Sequence, residues 1–397
     1  MKVLVTGATG FIGYHLVRRL TEAGHQVVAT DSGDPAGSRV QQMRVDQLKL
    51  LMRAHPRTLS FQAADLEKQS EVEALWTSTA AKRPKRDAAA AAEDVSSAAG
   101  GASPVFSHVV HLGAKAGVRE SLLNPGVYVR VNILGFFHLL DASRRLNGAA
   151  DAHFLFASSS SVYGASAGPP PFAESAHCDR PLSLYSRHRQ QPATCINIMT
   201  FLSRLYAATK CADEAIAAAY AHAYGLRLTG LRFFTVYGPY GRPDLAVYTF
   251  IEKIARGQPI TVYNGGENKR SYTYVDDVID GILLILGRNS SPNHSSDITN
   301  LATGDDSAAA SSSFNNYTTY NLGSTDCLTT MELIRCIEKH LGKRAVCDFQ
   351  PGPTCDMPLT QADMSKMQTE FGFSPKIALD DGIERVVQWY TTTVGNE

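Results

Sequence analysis

Lys2-Val3-Leu4-Val5-Thr6-Gly7-Ala8-Thr9-Gly10-Phe11-Ile12-Gly13 opens the chain with an apolar, β-branched run that breaks directly into three glycines. Tyr14 to Ala23 continues with an amphipathic period, so the local order is strand, tight turn, helix. Glycine is required where a backbone must turn sharply, approach a pyrophosphate closely and let a helix pack on a strand. The following helix start offers free N–H groups and the positive end of its dipole to phosphates. A second apolar run, Gln26 to Thr30, ends at Asp31, where the second strand of a Rossmann unit delivers the acid that binds the adenine ribose. A carboxylate there accepts from both ribose hydroxyls and repels a 2′-phosphate, so the expected cofactor is NAD rather than NADP.

Working outward, strands are expected at Val3 to Val5, Gln26 to Thr30, Thr58 to Gln62, His108 to His111, His153 to Ala157 and Arg227 to Phe233, alternating with helical stretches. That alternation defines an α/β fold, a Rossmann-type doubly wound parallel sheet, whose ligands bind beyond the carboxyl ends of the strands. A smaller C-terminal α/β substrate-binding domain is expected to complete it. The boundaries read as 1–236 plus about 272–325 for the cofactor domain and 237–271 plus 326–397 for the substrate domain. Three segments interrupt the order. Thr77 to Pro104 is rich in alanine, serine and charge, and Arg288 to Asn316 in serine, asparagine and threonine. Tyr185 to Leu205 carries no clear period.

The 397 residues, 44% of them hydrophobic, suffice for a large core and about two domains. A net charge of +0 suggests neither a nucleic-acid partner nor an anionic membrane surface. Cys178, Cys195, Cys211, Cys327, Cys336, Cys347 and Cys355 are odd in number and contain no CxxC pair, which favours reduced thiols in the cytoplasm over a disulfide frame or a zinc site. The first core strand begins at once, leaving no room for a signal peptide, and the apolar run Ile282 to Leu286 is too short to span a bilayer. His108 and His111 fall on opposite faces of one strand and make poor joint metal ligands, so no metal site is expected. Asp276 and Asp277 open a helix as capping or core-edge groups.

The candidate chemistry lies in Tyr206-Ala-Ala-Thr-Lys210. This spacing puts a phenol and an ammonium on one helix face, about one turn apart. A free phenol titrates too high to serve as a base at neutral pH, but a neighbouring ammonium and the positive charge of oxidised nicotinamide favour phenolate. Such a group can take the proton of a substrate alcohol as hydride leaves. Immediately after an apolar strand, Ser158-Ser-Ser-Ser-Val-Tyr-Gly164 supplies hydroxyls able to bridge the substrate oxygen and Tyr206.

These motifs resemble the extended short-chain dehydrogenase/reductase superfamily and, within it, the nucleotide-sugar epimerases; the pattern is nearest to the UDP-glucuronate 4-epimerases. Besides the stretches already quoted, the resemblance is carried by His111-Leu-Gly-Ala-Lys-Ala-Gly-Val-Arg-Glu-Ser121, Leu231-Arg-Phe-Phe-Thr-Val-Tyr-Gly-Pro-Tyr-Gly-Arg-Pro-Asp244 and Arg270-Ser-Tyr-Thr-Tyr-Val-Asp-Asp277. It implies Ser159, Tyr206 and Lys210 as the catalytic triad, with Lys210 also binding the nicotinamide ribose. Gly7, Gly10, Phe11, Ile12 and Gly13 would line the pyrophosphate, Asp31 the adenine ribose, and Asp65 and Leu66 the adenine. Leu112, Gly113, Ala114 and Lys115 would form the far wall of the cofactor site with Asn132 as its support, and Val236 would lie near the nicotinamide. Ser160 would meet substrate, Thr235 and Arg242 the sugar carboxylate, and Arg270 the UDP diphosphate.

The reaction so implied is 4-epimerisation of UDP-glucuronate to UDP-galacturonate through a 4-keto sugar, with Tyr206 moving the proton and NAD retained. A C4 ketone makes the uronate a β-keto acid, and a fork-like grip by Arg242 would hold the carboxylate away from the orientation that loses carbon dioxide. Related dehydratases carry an Asp-Glu pair before Val-Tyr-Gly and decarboxylases a glutamate; here Ser160 and Ser161 stand there, which favours epimerisation. The rival readings are a UDP-glucose 4-epimerase, a UDP-glucuronate decarboxylase, and an NAD-binding scaffold impaired by the insert before Tyr206. Removing Tyr185 to Leu205 would join Pro181-Leu-Ser-Leu to Tyr206; the segment is either an exposed loop or a translated intron. Tyr185 is the competing tyrosine, but four residues on it has Arg189, which does not replace lysine cleanly. Ser271, where relatives carry an acid, and the inserted Pro353-Thr354-Cys355 are further departures. Relatives commonly form homodimers through helices bearing the equivalents of Asn132 and Tyr206.

Overall fold

Alternation along the first strand sets the architecture. Val3 and Val5 point into one hydrophobic cluster and Leu4 into another, so the strand is covered on both faces. In this computed structural model, which describes residues 1–32, 38–79, 104–117, 120–147, 152–164, 170–176, 178, 205–288, 316–352 and 359–395, that strand lies inside a seven-stranded parallel sheet, with neighbours on both edges. Its strands are β1 (Lys2–Thr6), β2 (Gln26–Asp31), β3 (Leu59–Ala63), β4 (His108–His111), β5 (His153–Ser159), β6 (Arg227–Phe233) and β10 (Tyr317–Leu322), in the order β10-β6-β5-β4-β1-β2-β3. This is a doubly wound Rossmann sheet, with its order reversing at β1 and β4. Register pairs Thr6 with Thr30 on one side and with His111 on the other.

One face is covered by the helix Phe11–Glu22, whose Leu16, Val17 and Leu20 pack with Ile279, Ile282 and Leu286 of the helix Val275–Gly287. The other is covered by Gln69–Thr79, Gly135–Leu146 and Leu205–Tyr224, through Trp76, Phe136, Leu139 and Ala217. Past Phe233 the chain builds smaller sheets. Strand β7 (Thr235–Tyr237) pairs with β9 (Lys269–Tyr274), which also pairs with β11 (Cys327–Thr329) and β13 (Leu359–Thr360). Strand β8 (Ile260–Tyr263) pairs with β12 (Cys347–Gln350). Asp277 ties this region down, accepting from the backbone N–H groups of Lys376 and Ile377 at 3.1 and 3.0 Å.

The structure corrects two boundaries and adds a strand. The first helix starts at Phe11, not Tyr14, because the backbone turns helical as soon as the glycine loop closes at Gly10. Strand β3 lies one residue later than Thr58 to Gln62, as fixed by pairing Val27 with Leu59. The seventh strand, β10, was not expected; it emerges directly from the serine- and asparagine-rich stretch that hid its alternation. Most of the three interrupting segments, at 80–103, 179–204 and 289–315, lies outside the described residues, as do Tyr185, Arg189, Val118, Arg119 and the 353–358 stretch holding Pro353-Thr354-Cys355.

Candidate active site

The glycine loop is a cradle fixed by sterics. Gly7 has φ +69°, and a Cβ there would lie 2.6 Å from the backbone N of Gly113 and C of Leu112. A Cβ on Gly10 would stand 2.9 Å from the Gly7 carbonyl oxygen, and one on Gly13 would overlap it outright. The loops after β1 and β4 are therefore pressed together at the point where strand order reverses, the ligand-binding crevice of such sheets. Gly10 caps the helix with no side-chain hydrogen bond, so the first N–H groups face the crevice without a competing acceptor. Asp31 ends β2 beneath this loop. Its Oδ2 accepts from the Thr9 backbone N–H at 2.9 Å and the Thr9 hydroxyl at 2.6 Å, and its Oδ1 from the Ser32 N–H. A cradle that only glycine can form, an open helix start and a carboxylate at the end of β2 fit a dinucleotide.

The wall opposite is held by one buried amide. Asn132 accepts from the Lys115 N–H at 2.8 Å and donates to the Lys115 carbonyl at 3.1 Å and the Thr209 hydroxyl at 3.0 Å. The segment Leu112 to Lys115 is thereby fastened to the helix that carries Tyr206, and Gly113 N–H donates to Thr6 Oγ1. Leu66 packs against Gly135, and its carbonyl accepts from His138; Asp65 Oδ1 accepts from the Glu67 N–H. Val236 is buried in β7.

The helix Leu205–Tyr224 presents Tyr206 part-exposed, its ring 6.4 Å edge-on from that of Tyr128, and buries Lys210. The lysine has a partner that the sequence reading did not assign: Asp213 Oδ2, 3.0 Å from Nζ, with both side chains 1% exposed. Burial, opposed by Lys210, raises the Asp213 carboxyl to about 6. Burial and then the Lys210 charge lower His111 at the end of β4 to about 3, so that imidazole is neutral, hydrogen-bonded to Thr6 at 2.7 Å. Strand β5 ends in the serine run. Ser159 caps a short 3-10 turn, accepting from the Ser161 N–H and hydroxyl at 3.2 and 3.0 Å, with Ser160 part-exposed beside it. Its neighbour Ser158 donates at 2.5 Å to Glu214, which Arg232 of β6 grips with two bonds of 2.9 and 2.8 Å.

Arg242 reaches towards the same cleft from the loop after β7. It donates to the Ala116 carbonyl at 3.2 Å and forks onto Asp244 at 3.0 and 2.6 Å. Burial lowers its pKa, but the Asp244 carboxylate outweighs that and the net shift is upward. Thr235 opens β7, paired with Tyr272; Arg270 lies on β9 and donates to the Lys269 carbonyl. Ser271 is fully buried, bonded to the Ser324 backbone. Arg44 is another residue beyond the sequence reading: it donates to the Thr9 and Tyr240 carbonyls, both at 2.7 Å, joining the glycine loop to the Arg242 loop. Its signal was present, as an arginine in the apolar stripe Val40, Arg44, Leu48.

The fold, cradle and tyrosine helix define a dinucleotide-binding enzyme of the Rossmann class. The model of the NAD dependent epimerase/dehydratase family matches residues 3–99 and 199–302, and that of GDP-mannose 4,6 dehydratase residues 103–191. The chain belongs to the NAD dependent epimerase/dehydratase family. It is 34% identical to UDP-glucuronate 4-epimerase 1 of Arabidopsis thaliana over 100% of this chain and 78% of that protein. It is 32% identical to a probable UDP-glucuronate 4-epimerase of Rhizobium meliloti over 98% of this chain and 97% of that one. Among solved structures, UDP-glucuronic acid 4-epimerase from Bacillus cereus, in complex with UDP-glucuronic acid and NAD, superposes with a TM-score of 0.72 at 26% identity, covering 99% of both chains.

Proposed function

We propose that this protein is an NAD-dependent 4-epimerase of a UDP-sugar, an isomerase converting UDP-glucuronate to UDP-galacturonate. The observation that carries the reading is that the glycine cradle packs on the Leu112–Lys115 segment, which Asn132 fastens to the Tyr206–Lys210 helix, and that this helix packs on the serine turn at the end of β5. Relatives named UDP-glucuronate 4-epimerase, matching nearly the whole chain, support the substrate. NAD, when bound, supplies the hydride acceptor and donor.

In this reading Gly7, Gly10, Phe11, Ile12 and Gly13 hold the pyrophosphate, Asp31 the adenine ribose, Asp65 and Leu66 the adenine, and Leu112 to Lys115 and Val236 the remaining walls. Tyr206 takes the proton of the sugar C4 hydroxyl, and Ser159 and Ser160 orient that oxygen. Tyr206 returns the proton once the flat 4-keto sugar has turned its other face. Arg242, which already grips one carboxylate in Asp244, holds the uronate carboxylate with Thr235 and keeps it from leaving as carbon dioxide. Arg270 meets the diphosphate.

The division at 236, 272 and 325 gives cofactor binding to the seven-stranded sheet and sugar binding to the segments 237–271 and 326–397. A homodimer is supported by Val129, Leu134, Phe137 and Tyr224, large apolar groups exposed on the segments bearing Asn132 and Tyr206. Among the described residues five cysteines form no disulfide, which fits the cytoplasm, and no helix is long and apolar enough to cross a membrane.

The test is to incubate the purified protein with UDP-glucuronate. UDP-galacturonate is the expected product. A UDP-pentose would identify a decarboxylase, turnover of UDP-glucose alone a neutral-sugar epimerase, and bound NAD without turnover a scaffold.

A further inference from the structure

Tyr206, Lys210 and Asp213 lie on one stripe of their helix, within about 60° of one another at 3.6 residues per turn. Along this stripe the lysine stands four residues after Tyr206 and three before a carboxylate that touches its ammonium at 3.0 Å. Asp213 is fully buried, and its second oxygen, Oδ1, has no hydrogen-bond partner among the described residues. A buried carboxylate left half-satisfied is costly unless its charge serves another group. Among the described residues the cation bonded to it is Lys210.

We propose that Asp213 is a positioning residue for proton transfer at Tyr206, acting through Lys210: it holds the ammonium in the interior and offsets its charge, limiting how strongly that ammonium favours the phenolate. The inference rests on the reading of Tyr206 as the proton-transfer group. An isolated ammonium acts on a phenol as a full charge; an ammonium paired with a carboxylate acts as a dipole, whose influence falls off faster with distance. The other charged and titratable groups around the pair do not supply the same offset. On the same helix, Glu214 is committed to Arg232 of β6 and to Ser158, and the Cys211 thiol is pushed up to about 11 by burial. From β4, His111 is held neutral; from β10, burial pushes the Tyr317 phenol upward; the Cys178 thiol donates to the Ala176 carbonyl; facing Tyr206 itself are Arg242, paired with Asp244, and the Tyr128 phenol, pushed up to about 12 by burial. The raised Asp213 carboxyl, near 6, means the offset weakens in mildly acidic solution.

The experiment compares the NAD-loaded parent with Asp213→Asn, which keeps an acceptor and removes the charge, with Asp213→Ser as a second neutral variant and Asp213→Glu as the charge-conserving one. Two quantities are read: the Tyr206 phenolate titration, as ultraviolet difference against Tyr206→Phe, and the acid limb of kcat against pH. Both neutral variants are expected to move titration and limb to lower pH by about one unit, so that kcat below the parent's limb rises roughly tenfold, while Asp213→Glu stays with the parent. Folded neutral variants whose titration stays in place, or moves to higher pH, overturn the proposal. If Tyr206→Phe turns over sugar like the parent, the reading of Tyr206 itself fails, an outcome separate from an unmoved titration.

Discussion

At the scale of single residues, the proposed cofactor cradle depends on atoms that are missing. Adding one methyl at Gly13 places it on the Gly7 carbonyl oxygen, which belongs to the loop and cannot swing aside as a side chain would. Gly13→Ala is therefore expected to purify without NAD and to melt several degrees below the parent; bound NAD, measured by absorbance after release, retained at parental stoichiometry would contradict the cradle. The glycines were legible in the sequence because a strand, a turn and a helix start are local and leave a local signature. The partner of Lys210 was not singled out, although Asp213 stands three residues on, at a spacing that puts the two on one face. Nothing in the spacing distinguishes a buried face from a solvated one, and only the packing of the helix on β5, β6 and β10 made that ion pair interior.

At the scale of elements, two buried polar knots decide how parts of the site meet. Asn132 joins the Lys115 loop to the tyrosine helix by three hydrogen bonds. Its removal takes away the partner of the part-buried Lys115 N–H and carbonyl, at about 0.5–1.5 kcal/mol for each hydrogen bond lost. Asn132→Ala is expected to lower the melting temperature and weaken NAD binding together, as calorimetry would register; a loss of stability with cofactor affinity intact would make the residue a support for the fold alone. Arg232 joins β6 to the tyrosine helix through Glu214 and lies over the Tyr163 ring at 4.8 Å. Arg232→Met strands Glu214 as a buried, uncompensated carboxylate, and denaturant unfolding should reveal a loss of about 3–5 kcal/mol. A double replacement that makes both positions apolar should recover much of that loss. The sequence placed Asn132 as a support through resemblance, but which atoms it would bond required three separated segments to converge. The seventh strand was missed for a related reason: β10 gains its identity from pairing with β6, not from its own short pattern.

At the scale of the whole molecule, burial of imidazoles ties stability to pH. Desolvation lowers His15 to about 4 and His111 to about 3, and holds His153 well below its ordinary value. Below about pH 6.5 the unfolded chain takes up protons that these folded sites refuse, so each lends stability that is complete above 6.5 and lost as pH falls towards 4. The loss is at most about 1.4 kcal/mol per pH unit per histidine. The carboxyls of Asp213, Glu174 and Asp277, raised by burial, work oppositely, since the folded chain keeps protons there that the unfolded chain gives up, but His108, also lowered to about 4, adds to the imidazoles on the other side. Thermal unfolding at pH 5 should accordingly begin at a lower temperature than at pH 7, and an equal or higher midpoint would contradict the neutral state assigned to these histidines. The sequence by itself determined the sheet class, the glycine loop, and the tyrosine helix with its lysine, because each is written in contiguous residues with a fixed period. Only the tertiary structure decided that the lysine lies inward against Asp213, that Arg44 bridges the glycine loop to the Arg242 loop, and that one asparagine fastens the Lys115 loop to the tyrosine helix. Those are contacts between segments far apart in the chain, and they exist only once folding has excluded water and left each buried polar group to find its partner.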